Sequence, residues 1–259
     1  MPAIPVLYSF ARSGGTLVNQ LLGVHPQCLV LSEVNPAASY KPVAEQAMEW
    51  LGLVEGEEAD EFARHPYHRQ IATLAERATR AGKRLVVRDW ITVNFLPGTA
   101  GEATVASGEL EQELYLEHAG LQALPVVVTR RSATVYRSIT SHFPHLRDLR
   151  PEAFADSYLG FARAVSGFPR VHLEALRARP EAAVPEVLRA FQLDPSPSES
   201  LIGNFHGFRN CTGNTTLRER SGSASAERIL PPESDVAGDA VLVERHPALA
   251  EADRLMGYG

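Results

Sequence analysis

Short apolar runs separated by longer stretches of helical periodicity organise this chain. Five runs have the length and composition of strands, and they cover 4–9, 28–31, 84–88, 124–129 and 171–173. The run at 124–129 is almost entirely β-branched after Pro125, which is typical of a parallel strand buried on both faces. Because the runs alternate with helical segments, the pattern predicts an α/β fold with a mainly parallel sheet.

Apolar residues that recur three and four positions apart predict the helices between these strands. The predicted helices cover 16–22, 42–53, 57–81 with an interruption at Pro66, 109–117, 131–142, 151–168 and 181–191. A polar stretch at about 194–239 is rich in Ser, Pro, Gly and Asn and predicts a loop-rich region. No repeat or break in composition divides the chain, so we expect one domain spanning 1–259.

Composition narrows the class of protein. The chain has 259 residues, 44% of them hydrophobic, and a net charge of −6, which disfavours a general nucleic-acid binder. No apolar window reaches the length of about 20 residues that a membrane-spanning helix needs, and the first residues lack the pattern of a secretory signal. Cys28 and Cys211 form no paired motif, and no HExxH is present. We therefore expect a cytoplasmic protein with no membrane partner and no metal, while the oligomeric state stays open.

A glycine loop lies between the first predicted strand and the first helix. Ser13, Gly14, Gly15 and Thr16 follow Arg12 there, and backbone N–H groups at such a junction can bind a phosphate. The loop has no Lys and does not match the pattern of Mg-dependent nucleotide hydrolases or of dinucleotide-binding proteins. The alternative is a tight turn without a ligand. If it binds a ligand, the pattern favours a phosphate that is not part of Mg-ATP or NAD.

The segment 11–16, Ala-Arg-Ser-Gly-Gly-Thr, resembles the Pro-Arg-Ser-Gly-Thr-Thr loop of the sulfotransferase superfamily. A second hallmark of that family is an Arg at the end of a buried strand with a Ser eight positions later, and Arg130 and Ser138 match it. The resemblance implies a P-loop-containing three-layer α/β/α fold that binds 3′-phosphoadenosine 5′-phosphosulfate (PAPS). The glycine loop would hold the 5′-phosphosulfate, and Arg130 with Ser138 the 3′-phosphate. Arg131 is an alternative to Arg130.

The resemblance also suggests which group removes the proton from the acceptor. The Lys-x-His segment of the classical cytosolic branch corresponds to Arg88-Asp89-Trp90, which lacks the His base. The segment from His25 to Glu33 is similar instead to the branches with a Glu base, the tyrosylprotein and several bacterial sulfotransferases. Glu33 is thus the predicted base and Asp89 the reserve. Arg88 would replace the catalytic Lys and stabilise the leaving oxygen, with Arg12 beside it.

Two more arginines enter through the resemblance alone. Residues 212–214, Thr-Gly-Asn, are similar to an element that precedes the C-terminal loop of many bacterial members. In that loop Arg218 and Arg220 would reach the 3′-phosphate. A flexible polar tail explains the same two residues equally well.

Together these features predict a sulfotransferase that moves a sulfonate group from PAPS to a hydroxyl of a small-molecule or carbohydrate acceptor and releases adenosine 3′,5′-bisphosphate (PAP). The identity of the acceptor does not follow from the fold. Two alternatives remain: a P-loop nucleotide or small-molecule kinase, and a catalytically inactive nucleotide-binding relative.

Overall fold

A computed structural model describes residues 2–101, 106–213 and 237–259 of the chain. Its centre is a five-stranded sheet in the order β2-β3-β1-β4-β5, and every paired neighbour in it is parallel. The strands are β1 (Ala3–Ser9), β2 (Cys28–Val34), β3 (Arg84–Asp89), β4 (Gln122–Thr129) and β5 (Arg170–His172). The predicted α/β class with a parallel sheet is confirmed.

Helices cover both faces of the sheet and make the three layers. One face carries α1 (Gly15–Gly23), α9 (Leu173–Ala178), α10 (Pro180–Ala190) and α11 (Ser198–Asn204). The other carries α2 (Val43–Glu49), α3 (Glu58–Ala63), α4 (Tyr67–Arg80), α5 (Thr92–Phe95), α6 (Glu111–His118), α7 (Ser132–His142), α8 (Pro151–Ala164), α12 (Ala237–Arg245) and α13 (Pro247–Leu255). In the part of the chain that is described, no helix is long and apolar enough to cross a membrane.

The pleat of the strands divides the core into two clusters. In β1, Val6 and Tyr8 pack into the larger cluster under α4 and α8, whereas Leu7 between them packs into the cluster under α1. This follows from the period of two in a strand, which sends successive side chains to opposite faces. Since both faces are apolar, the strands read as nearly continuous hydrophobic runs, as the sequence analysis expected.

Several elements differ from the predicted boundaries, and the helices α5, α9, α11, α12 and α13 were not predicted. β2 continues three residues beyond the predicted end, to Val34, and so includes Glu33. The region predicted as loop at 194–239 contains α11 over Ser198–Asn204, in which Ser198 and Leu201 are buried. The predicted interruption at Pro66 is confirmed, because α3 ends at Ala63 and α4 begins at Tyr67. The single-domain organisation stays a prediction.

Candidate active site

The glycine loop, residues 10–16, joins β1 to α1 at the carboxyl edge of the sheet. Phe10 anchors its start, because the Phe10 ring packs against Tyr158 and Phe161 of α8 with centroids 5.2 and 5.3 Å away. The amide of Ser13 then donates to the carbonyl of Phe10 at 3.0 Å, which closes the turn. The loop is therefore held by the core before the chain enters α1.

Two residues of the glycine loop adopt left-handed backbone angles, Arg12 with φ 69° and Gly14 with φ 98°. The strained Arg12 conformation is rare outside glycine and concentrates at functional sites. The angles turn the chain so that α1 begins with Gly15, and the first amides of a helix have no acceptor within the helix. These N–H groups and the helix dipole favour an anion at this point.

No side chain fits at the two glycines. A Cβ on Gly14 would lie 2.6 Å from Cδ1 of Leu173, and one on Gly15 would overlap the hydroxyl of Ser9 and lie 3.1 Å from Nε of Arg88. Gly15 therefore permits the backbone of α1 to approach both the end of β1 and the Arg88 guanidinium. Ser13 is completely buried, whereas Thr16 is partly exposed.

The second predicted anion site adjoins the first. Nη1 of Arg130 donates to the carbonyl oxygen of Arg12 at 2.8 Å, and Nε of Arg12 donates to Oγ of Ser138 at 2.9 Å. Arg12 thus contacts both members of the Arg130–Ser138 pair, and its side chain lies toward them. Hydrogen bonds therefore join the two strand-to-helix junctions.

Arg130 and Arg131 have different surroundings. Arg130 is 5% exposed, and its carbonyl oxygen accepts a hydrogen bond from the hydroxyl of Tyr158 at 2.8 Å. Arg131 is exposed, and its guanidinium lies over the ring of Tyr258, 5.3 Å from the centroid. Of these two arginines, Arg130 is the one that is buried and held by hydrogen bonds to Arg12 and Tyr158.

Glu33 occupies a β-bulge at the end of β2. The pairing of β2 with β3 shifts by one residue here, since Ser32 pairs with Arg88 and Val34 with Asp89, and Glu33 is the extra residue. Its φ of 52° is left-handed. A bulge re-aims a side chain that the pleat would send elsewhere. Leu31 and Val34 both pack into the larger core cluster, while Ser32 and Glu33 both contact Arg88.

Arg88 joins the carboxylate to the glycine loop. Its Nη2 donates to Oε1 of Glu33 at 2.6 Å, and its Nη1 donates to the carbonyl oxygen of Thr212 at 3.2 Å. Within the described residues, Nε of Arg88 is buried without a hydrogen-bond partner, and it is the atom that faces Gly15. The Arg88 guanidinium therefore adds a positive charge beside the N-terminus of α1.

Thr212 and Gly213 pass over this arrangement from a distant part of the sequence. The amide of Thr212 donates to Oγ of Ser32 at 3.1 Å, and the two hydroxyls lie 2.8 Å apart. Gly213 has a φ of 117° and lies against Thr16. A Cβ on Gly213 would overlap the hydroxyl of Thr16. The segment of Thr212 and Gly213, which we call the strap, therefore contacts both the Arg88 network and the glycine loop.

Asp89 lies on the other face of the sheet, among the helices of the larger core cluster. It is 1% exposed, and its Oδ1 accepts a hydrogen bond from Nδ2 of Asn35 at 2.7 Å. Burial raises the pKa of Asp89 to about 8, so this carboxyl holds its proton at neutral pH. Tyr8 and Tyr67 lie near it, and burial raises the pKa of both phenols.

Sequence reasoning missed several residues of the site. Ser9, Ser32 and Tyr158 belong to no recognised motif. The only sign of them in the sequence is a polar group within a segment that is predicted to be buried. Arg218 and Arg220, which the resemblance assigned to the 3′-phosphate, lie outside the described residues. Across 2–101, 106–213 and 237–259, no three His, Cys, Asp or Glu side chains are grouped as metal ligands.

Neither a scan of protein-family models nor a search of curated proteins matches this sequence. Solved structures do. A sulfotransferase domain from the curacin biosynthetic pathway superposes with a TM-score of 0.57 and 14% identity, covering 95% of this chain and 97% of that domain. The sulfotransferase domain of the Synechococcus PCC 7002 olefin synthase gives 0.55 and 16%, with 94% of each chain covered. The chain shares the P-loop-type α/β fold of these sulfotransferase domains.

Proposed function

We propose that this protein is a sulfotransferase that moves the sulfonate group of PAPS to a hydroxyl of a small-molecule or carbohydrate acceptor. The observation that carries the proposal is the position of Arg12, which contacts Arg130 and Ser138 while belonging to the glycine loop. PAPS has an anionic group on each side of one ribose. Two adjoining anion sites joined by one residue suit such a ligand.

The donor fits the site by charge and by donor groups. The 5′-phosphosulfate would lie at the N-terminus of α1, where the helix begins with Gly15 and Thr16 and Nε of Arg88 lies against Gly15. The 3′-phosphate would lie between Arg130 and Ser138. Arg130 suits this position better than Arg131, because it is fixed by the carbonyl of Arg12 and by Tyr158, and a planar guanidinium can bind a phosphate with two N–H groups.

Transfer requires a base, an in-line acceptor and a cation at the leaving oxygen. Glu33 takes the proton of the acceptor hydroxyl as that oxygen forms a bond to sulfur. The bond from sulfur to the bridging oxygen breaks, and its electron pair leaves with PAP. Arg88 stabilises the negative charge that develops on the bridging oxygen, and its contact with Glu33 holds base and cation at a fixed separation.

Arg12 and Asp89 take other roles in this proposal. Arg12 binds donor phosphate and connects the two anion sites, since its guanidinium is already directed to Ser138. Asp89 is disfavoured as the base, because it is buried on the opposite face of the sheet from Glu33 and Arg88. Burial also raises the pKa of Asp89 to about 8, so this carboxyl is mostly protonated at neutral pH.

The fold that the chain shares with two sulfotransferase domains supports sulfonate transfer as the reaction. The kinase alternative is weaker, since the glycine loop has no Lys to reach the outer phosphates of ATP. A catalytically inactive relative has no need for a carboxylate held at 2.6 Å from an active-site arginine.

Binding of PAP without metal tests the proposal. PAP in EDTA should raise the melting temperature, since a ligand that binds only the folded state stabilises it by mass action. ATP with Mg²⁺ should have a much smaller effect. Radiolabelled PAPS should then transfer label to at least one compound in a panel of phenols, sugars and alkyl alcohols. A melting temperature that responds to Mg-ATP and not to PAP would favour the kinase.

A further inference from the structure

Helix α7 joins the two residues proposed to bind the 3′-phosphate, because Arg130 lies just before it and Ser138 lies within it. Its N-cap position is Arg131, which forms no side-chain capping bond and is not among the residue types that cap helices well. The cap comes from a distant helix instead. Oδ1 of Asp253, in α13, accepts a hydrogen bond from the amide of Ser132 at 2.8 Å, and the bond is buried.

A second carboxylate from the same region binds two side chains near the start of α7. Asp239, in α12, accepts a hydrogen bond from Oγ1 of Thr134 at 3.1 Å, and its other oxygen lies 2.6 Å from Nε of Arg137. Asp239 is 9% exposed and Asp253 is 8% exposed. Burying a carboxylate is costly unless its hydrogen bonds are made, so these contacts fix α12 and α13 against α7.

We propose that α12 and α13 set the position of α7 and thereby the spacing of Arg130 and Ser138, with Asp253 and Asp239 as positioning residues for the 3′-phosphate. This inference rests on the proposed function. It assigns to the C-terminal helices a part in donor recognition although neither carboxylate would touch the donor.

The direction in which PAP affinity changes when Asp253 is removed distinguishes a positioning role from simple charge repulsion. A carboxylate near a phosphate repels it, so its removal should strengthen PAP binding if charge alone matters. Positioning predicts the opposite, because loss of the cap from Asp253 loosens the first turn of α7. A capping bond stabilises a helix by on the order of 1 kcal/mol. If PAP binding has to recover this free energy in the variant, the affinity falls about fivefold.

The test compares PAP with adenosine 5′-monophosphate, which lacks only the 3′-phosphate, by calorimetric titration of the full chain. For Asp253→Ala we expect the ratio of PAP affinity to monophosphate affinity to fall about fivefold. Asp253→Asn retains an acceptor oxygen and should restore the ratio. The matched control is Glu251→Ala, since Glu251 lies on the same helix and pairs with Arg163 of α8 at 2.8 Å. The control should leave the ratio unchanged.

Equal weakening of both ligands by Asp253→Ala, or an increased ratio, overturns the inference. If wild type binds both ligands equally, the proposed 3′-phosphate site fails and the inference fails with it. If wild type prefers PAP to the monophosphate and Asp253→Ala keeps the same affinity ratio, the positioning inference is wrong but the proposed 3′-phosphate site stands.

A measurement on the unchanged protein covers the case in which Asp253→Ala does not fold. Amide hydrogen exchange of wild type should slow at 132–138 and also at 247–255 when PAP binds, and adenosine 5′-monophosphate should produce less protection at both. Protection of 132–138 by PAP with unchanged exchange at 247–255 would overturn the proposed coupling.

Discussion

Oε1 of Glu33 and Nη2 of Arg88 lie 2.6 Å apart at the ends of neighbouring strands. Arg88 is 6% exposed in its side chain and Glu33 is 17% exposed, so a mostly buried cation is paired with Glu33, its only carboxylate partner among the described residues. Removing one member of such a buried pair leaves an uncompensated charge. The pair therefore has to be considered as a unit when either residue is changed.

Glu33→Gln should abolish turnover while preserving donor binding. Gln can still accept a hydrogen bond from Arg88 but cannot take a proton, and loss of a general base lowers kcat by about 100- to 10,000-fold. Steady-state transfer of label from PAPS measures kcat, and titration with PAP measures donor affinity. Asp89→Asn is the matched control at the other carboxyl and should keep near-normal kcat. Near-normal turnover in Glu33→Gln, or a larger loss in Asp89→Asn, would contradict the assignment of the base.

Arg130→Ala should weaken PAP binding, and Arg131→Ala should change it little. A hydrogen bond to a charged group contributes about 1.5–3 kcal/mol, so we expect about a 10- to 100-fold rise in the Kd of PAP for Arg130→Ala. Both residues precede α7, but Arg130 is buried beside Arg12 whereas Arg131 is exposed over Tyr258. Comparison of the two Kd values decides between the two arginines. A larger rise in Kd for Arg131→Ala than for Arg130→Ala would identify Arg131 as the residue that binds the 3′-phosphate.

Gly15→Ala should disrupt the glycine loop. The added methyl group would overlap the Ser9 hydroxyl and approach Nε of Arg88, and forced overpacking of this kind costs about 1–3 kcal/mol. We expect a lower melting temperature and no stabilisation by PAP. Gly167→Ala serves as the control, since no atom lies within 4 Å of a Cβ there. Equal responses of the two variants to PAP would show that close approach at Gly15 is unimportant for the donor.

Asp89 should make the protein less stable as pH rises toward 8. Its pKa in the folded state is about 8, above the value of about 3.9 for an exposed Asp. Between these pH values the folded state keeps a proton that the unfolded state has lost. The free energy of unfolding therefore falls with rising pH, by at most about 1.4 kcal/mol per pH unit from this group.

Urea unfolding at about pH 5 and about pH 7.5 measures this dependence, and Asp89→Asn should remove the part that belongs to Asp89. The Asn side chain can still accept the hydrogen bond from Asn35. Parallel pH profiles for wild type and Asp89→Asn would mean that the carboxyl is ionised in the folded protein.

Periodicity and β-branched content were sufficient to predict the parallel sheet and most helices. The strand at 124–129 and the helix with buried residues at 71, 74, 75 and 78 follow from short-range patterns that burial on one or both faces imposes. The prediction ended β2 at Leu31, because Ser32 and Glu33 interrupt the apolar run. A bulge is set by the pairing with β3 and leaves no short-range pattern.

The candidate site was predictable only where a motif lies on consecutive residues. The glycine loop and the Arg130–Ser138 spacing could be identified in that way, and both lie at strand-to-helix junctions as expected. The contacts of Thr212 with Ser32 and of Asp253 with Ser132 join residues 180 and 121 positions apart. No local pattern in one sequence links residues that far apart, and α11 was missed because few apolar residues mark it.

The strap of Thr212 and Gly213 has a consequence for how the protein is made. Synthesis proceeds from the N-terminus, so the glycine loop emerges from the ribosome nearly two hundred residues before the segment that contacts Thr16 and Arg88. A nascent chain that ends before Thr212 lacks these contacts and the capping bond from Asp253. The contacts around Thr16 and Arg88 are therefore complete only after the strap has been made.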